Sequence, residues 1–125
     1  MFLSEFLKLF SYDPKDLVVI HDDVNLAENR VKVSSKNNSN PSGHNGLYSI
    51  NESIAQQEKG FGYYQIRVGI DRPTKESGIW IGDWVLQKIS SENQQILRES
   101  IATKTIEALP FVFQKDNSKA GNIFQ

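Results

Sequence analysis

The 125-residue sequence predicts an α/β fold. Two short apolar runs, Leu17–Ile20 and Tyr63–Ile70, are rich in β-branched or aromatic residues and have the length of strands. Between them, Leu47, Ile50 and Ile54 recur at helical spacing. Strand, helix and strand in alternation is the pattern of a sheet covered by helices. There is no internal repeat.

The elements follow in order. Phe2, Leu3, Phe6, Leu7 and Phe10 fall on one helical stripe, and Tyr12-Asp13-Pro14 ends that helix, because proline removes a donor and restricts the residue before it. Leu17–Ile20 then reads as a strand buried on both faces, as in a parallel sheet. Arg30 to Ser34 alternates charged and apolar residues, which suits a half-exposed strand. Residues 35–43 are rich in Ser, Lys, Asn, Pro and Gly and read as a loop. A helix is expected from Asn45 to about Gln57, ended by Gly60 and Gly62. Tyr63–Ile70 reads as a second buried strand and Asp71–Gly78 as a polar loop, while Ile79–Ile89 fits a strand or a short helix equally. Ser91-Glu92-Asn93-Gln94 is a capping-box pattern that starts a helix running to about Leu109, where Pro110 ends or kinks it. Trp80, Trp84, Phe111 and Phe113 are expected in the core, since no basic run surrounds them as in a base-stacking surface.

Composition narrows the function classes. One small domain spanning 1–125 is expected, long enough to bury a core without covalent staples. The chain has no cysteine, which excludes disulfides and thiolate metal sites. With 14 basic and 15 acidic residues the net charge is −1, so any nucleic-acid contact needs a local basic patch rather than an overall positive field. No apolar run reaches membrane-spanning length. The first ten residues carry neither a secretory n-region nor an Arg-rich transit pattern, so the sequons at Asn37 and Asn51 are expected to be unused.

Three groups of residues can carry chemistry. His21-Asp22-Asp23 closes the first strand, and ligands of open α/β sheets bind beyond the carboxyl ends of strands. A carboxylate there can hold an imidazole in one tautomer; the plain alternative is a solvated turn. His44-Asn45 is flanked by Gly43 and Gly46, which let backbone approach a ligand. The Asn45 amide offers two donors and an acceptor, suited to a water and an ester carbonyl, while His44 has the chemistry of a general base. The plain alternative is an ordinary turn and helix cap. Arg30, Lys32, Arg67 and Arg72 are candidate phosphate contacts or solvated surface charges.

Taken together, Asp16-Leu17-Val18-Val19-Ile20-His21-Asp22-Asp23, Ser42-Gly43-His44-Asn45-Gly46-Leu47-Tyr48-Ser49-Ile50 and Ile66-Arg67-Val68-Gly69-Ile70-Asp71-Arg72-Pro73 resemble, in order and spacing, the bacterial-type peptidyl-tRNA hydrolases. The closing stretch from Gln114 to Phe124 is similar to that family's last segment. The resemblance implies a mixed sheet between helices and a metal-free, cofactor-free hydrolysis of the ester joining a peptide to its tRNA. It implies that Asp22 orients a catalytic histidine and that Asn45 contacts substrate and water. It also implies that His44, Gly43 and Gly46 line the substrate and that the four basic residues meet tRNA phosphates. The partner implied is peptidyl-tRNA, with no membrane and no metal, in a monomer once complete, in the cytoplasm or a mitochondrion. The family's catalytic histidine sits in an Asn-adjacent motif upstream of the stretch matching Phe2–Phe10, and no such motif occurs here. The chain therefore reads as the C-terminal portion of a family member, incomplete at its N-terminus and without the general base. The loop before Ser42 is Asn-rich where the family is Gly-rich, and Ser42 stands where the family usually has Gly. Two other readings stay open: a non-catalytic tRNA-binding remnant, and an unrelated hydrolase with His44 as base beside Asp22 or Asp23.

Overall fold

A computed structural model describes residues 2–12, 16–35, 43–55 and 62–113. The expectations placed on Pro14, on residues 36–42 including Ser42, on Gly60 and on the stretch Gln114–Phe124 lie outside the described residues, as do the side chains of Phe111 and Phe113. The elements run α1 (Phe2–Leu9), β1 (Val18–Asp23), β2 (Val31–Ser35), α2 (Asn45–Ala55), β3 (Tyr64–Gly69), α3 (Ile81–Trp84), α4 (Ser91–Ile96) and α5 (Ala102–Phe113). A 3-10 turn covers Lys75–Ser77, and a π-helical turn, Leu97–Ile101, joins α4 to α5.

The sheet has the order β1-β3-β2. Tyr64 N–H donates to the Leu17 carbonyl and Ile70 N–H to the Asp23 carbonyl, so β1 and β3 run parallel at one constant offset. Asn29 N–H donates to the Gly69 carbonyl and Gly69 N–H to that of Arg30, which sets the start of β2 beside the end of β3, antiparallel. The sheet is thus mixed, and the expected α/β class is the one observed. β1 departs from the expected doubly buried strand: it is an edge of the described sheet, half-buried along most of its length, and Ile20 is 53% exposed. The central, buried position belongs to β3, where Gln65, Ile66 and Gly69 are buried.

The chain divides into two compact units, Met1–Val19 with Ser34–Gln65, and Ile20–Val33 with Ile66–Gln125. In the first, Leu47, Ile54 and Tyr63 form a buried cluster against which Leu17, Val19 and Ile50 pack. Burial of Leu47 and Ile54, with Ile50 partly covered, is the expected apolar face of α2. Tyr63 fixes that helix further, its hydroxyl donating to Asn51 Oδ1 at 2.6 Å. On α1 only part of the predicted stripe is covered: Leu7 is buried, whereas Phe6 and Phe10 are more than half exposed and group with Tyr12, ring centroids 4.8–6.5 Å apart.

The second unit buries Val31, Val33, Ile66, Ile101, Ala108 and Val112. Val31 and Val33 point inward while Lys32 stays half-exposed, the alternation expected of β2. Residues 79–89 resolve as the short α3 and a turn. Trp84 is half-buried and donates through Nε1 to the Asp71 carbonyl. Trp80 overturns its core assignment: it is 71% exposed at the extended N-cap position before α3, its ring lying across Gly82. The capping serine is also one residue earlier than the pattern suggested. Ser90 Oγ accepts from Asn93 N–H at 3.2 Å, and two consecutive serines offered two registers. Pro110 does not end α5, which continues to Phe113; in the last described turn its missing N–H removes one bond rather than breaking a long ladder.

Candidate active site

The loop entering α2 is built by local contacts. Gly43 has φ +83°, a left-handed conformation that reverses the chain into the helix at little cost only for glycine. His44 then occupies the N-cap position. Leu47 N–H donates to His44 Nδ1 at 3.2 Å, and Tyr48 N–H donates to the His44 carbonyl at 3.1 Å. An imidazole nitrogen thereby does what an Asn or Asp oxygen does at other caps. For the ring to fold back it needs room over the first turn, and Gly46 provides it: a Cβ there would lie 3.0 Å from His44 Cε1. Asn45, the first helical residue, is left exposed at the mouth of the loop.

The cap fixes the chemistry of His44. A backbone N–H can only donate, so Nδ1 must be the acceptor and neutral His44 carries its proton on Nε2. In this state Nδ1 is held by the helix and does not serve as a base. The Gly-His-Asn-Gly motif thus spends its histidine on the helix and presents its asparagine.

The exit of β1 is built differently. Asp23 collects four donors. Its carbonyl accepts from Leu26 N–H at 3.4 Å and from Ile70 N–H at 3.3 Å. Oδ1 accepts from Asn25 N–H at 2.8 Å, and Oδ2 from Arg67 Nε at 2.7 Å. Arg67 is consequently an ion-pair partner within the fold through Nε, with its side chain still part-exposed. Sequence reading missed this pair, although an arginine inside an otherwise buried strand was the available signal. It also missed Lys104, whose Nζ donates to the Asn29 carbonyl at 3.1 Å. Asp22 precedes Asp23 on the strand, and alternation points the two carboxylates to opposite faces. His21 donates through Nδ1 to the Asp22 carbonyl at 2.8 Å, a bond within its own strand.

The remaining basic candidates stay on the surface of the second unit: Arg30 and Arg72 are exposed and Lys32 is half-exposed. Among the described residues no three His, Asp or Glu side chains gather as a metal site, and no helix is long and apolar enough to cross a membrane.

A sequence profile of the family described as peptidyl-tRNA hydrolase matches residues 2–125. This chain belongs to the peptidyl-tRNA hydrolase family. Among similar proteins is the peptidyl-tRNA hydrolase of Mycoplasma capricolum, 34% identical over 104 residues, a match covering 82% of this chain and 51% of that one. The peptidyl-tRNA hydrolase of Staphylococcus saprophyticus is 31% identical over 108 residues, covering 85% and 53% respectively. The crystal structure of peptidyl-tRNA hydrolase from Acinetobacter baumannii superposes with a TM-score of 0.69 at 24% identity, over 94% of this chain and 55% of that chain, a likeness of fold. The chain spans about half the length of the curated relatives it matches.

Proposed function

We propose that this chain takes part in hydrolysis of the ester bond of peptidyl-tRNA, releasing the peptide and returning the tRNA. The family profile, running unbroken over residues 2–125, is the observation that carries the reading. It also favours treating the chain as a single family domain. In this scheme Asn45, exposed on a capped loop, holds the attacking water and the ester carbonyl through its amide. Asp22 orients and stabilises the imidazole of the general base. Following the family resemblance, that base is taken to be a histidine other than His21 and His44; the Nδ1 of His44 is committed to the cap of α2. Arg30, Lys32, Arg67 and Arg72 meet tRNA phosphates. Gly43 and Gly46 shape the loop that substrate approaches, and the reaction is placed where translation runs.

Peptidyl-tRNA turnover is the test, measured for the 125-residue chain and for the chain joined to a segment bearing a His-Asn motif. The joined protein is expected to turn over, and Asp22→Asn or Asn45→Ala to lower its rate by about 10²–10⁴-fold. Ester cleavage by the 125-residue chain alone, abolished by His44→Ala, would replace this scheme with one based on His44. The commitment of His44 Nδ1 to the helix cap also favours a second reading, tRNA binding without catalysis. In that case the chain retains tRNA, no joined segment confers turnover, and removing Arg30 and Lys32 still lowers the salt slope of binding by roughly 0.7–0.9 per lost contact.

A further inference from the structure

We infer that Asp23 and Arg67 form a positioning pair for Asp22, an inference that rests on the catalytic reading of Asp22. Four donors converge on Asp23, two on its carbonyl and two on its carboxylate, so the end of β1 is tied at once to the turn that follows it and to the central strand β3. The Arg67 bond is a side-chain tie across β1 and β3 at this end. It is partly shielded, with side-chain exposures of 26% for Arg67 and 12% for Asp23. The turn beyond is seated closely. The Ala27 carbonyl lies against Gly69 with no room for a Cβ, and Asn29, at φ +64°, is held by Gly69 through its carbonyl and by Lys104 Nζ. Asp22 is one peptide unit from this anchor, and its Cα and Cβ direction follow from the strand register that Asp23 fixes. A carboxylate that must hold an imidazole in one orientation needs such an anchor, since errors of an ångström cost catalysis heavily.

The pair makes a local prediction that a general stabiliser does not. The β1–β3 ladder has two reporters in this chain: Ile70 N–H, bonded at the Asp23 end, and Tyr64 N–H, bonded at the Leu17 end. Native-state hydrogen exchange on the 125-residue chain is expected to show Ile70 exchanging about tenfold faster or more in Arg67→Gln, with Tyr64 unchanged. Arg67→Lys, which keeps the charge but loses the planar Nε–H, is expected to give an intermediate acceleration and serves where Arg67→Gln fails to fold. The double variant Asp23→Asn with Arg67→Gln should be no faster at Ile70 than the worse single variant, because both remove one interaction. Equal acceleration of Ile70 and Tyr64, or none at Ile70, would overturn the inference. In the turnover-competent joined protein, Arg67→Gln is expected to lower kcat, measured at saturating substrate, about tenfold. Should Asp22→Asn leave turnover intact, the catalytic reading of Asp22 fails, and the positioning role fails with it even if the exchange pattern holds; a kcat loss in Asp22→Asn but none in Arg67→Gln sinks the positioning role alone.

Discussion

The entry of α2 and the exit of β1 solve one problem in two ways. Each carries adjacent polar residues of which at least one is tied to the fold through its side chain: His44 beside Asn45, and Asp23 beside Asp22. At α2 the tie is local, a contact across three residues between His44 Nδ1 and Leu47 N–H. At β1 it is long-range, the Arg67–Asp23 bond spanning 44 residues of sequence. Local wiring is written in the motif itself; long-range wiring exists only once β3 lies beside β1. The two sites should therefore break differently, the β1 exit through the sheet and the α2 entry through one turn of helix.

The largest effect is expected where the long-range region has no slack. A Cβ on Gly69 would sit 1.9 Å from the Ala27 carbonyl oxygen, and backbone cannot swing aside as a side chain can. Gly69→Ala should cost about 3 kcal/mol, read as a lowered denaturation midpoint at unchanged slope. A change within about 0.5 kcal/mol would show that the β1–β2 turn is loosely held.

The ion pair should be asymmetric. Arg67→Gln leaves the Asp23 carboxylate, 12% exposed, with the Asn25 backbone N–H as its remaining donor and should cost about 2–3 kcal/mol. Asp23→Asn keeps an oxygen for Asn25 N–H and leaves Arg67, 26% exposed, able to reach water, so about 1 kcal/mol is expected. Equal costs in urea melts would mean that the carboxylate is better hydrated than its burial implies.

At α2 the effects are smaller because one hydrogen bond is at stake. His44→Ala removes the cap and should cost about 1 kcal/mol. His44→Asn restores a capping oxygen and should recover most of it. If both variants lose the same amount, the imidazole stabilises through something other than its Nδ1.

The same contrast explains what could be read from the sequence. The strand–helix–strand alternation, the inward face of Leu47 and Ile54 and the alternation of Val31, Lys32 and Val33 follow from periodicity, which is local information. The Gly43-His44-Asn45-Gly46 motif was legible as a turn into a capped helix, since Gly43 and Gly46 each answer a local geometric need. β1 misled because a run of β-branched residues marks a strand without saying how many neighbours cover it. Ile20 shows the outcome, more than half exposed on an edge. The Arg67–Asp23 pair was not legible because its partners are distant in sequence, and Trp80 read as core because aromatic character alone does not place a side chain. The Ser90 register and the π-turn at Leu97–Ile101 depend on differences of a single hydrogen bond, below the resolution of a pattern.

The smallest effect is the most diagnostic for α2. Gly46→Ala places a methyl 3.0 Å from His44 Cε1 and 3.3 Å from Nδ1, so the imidazole must shift and the cap weakens. Losing the cap costs about 1 kcal/mol. Against this, replacing glycine by alanine within a helix gains up to about 1 kcal/mol. The two nearly cancel, and the melting temperature should move little. The signature lies instead in the coupling: in a His44→Ala background there is no ring to displace, so Gly46→Ala should then stabilise by most of its helix gain. A double-mutant cycle is expected to show about 0.5–1 kcal/mol of interaction between the two positions. Additive behaviour would mean that Gly46 is present for the approach of substrate to Asn45 rather than for the histidine, and the motif would then be shaped by its ligand instead of by its cap.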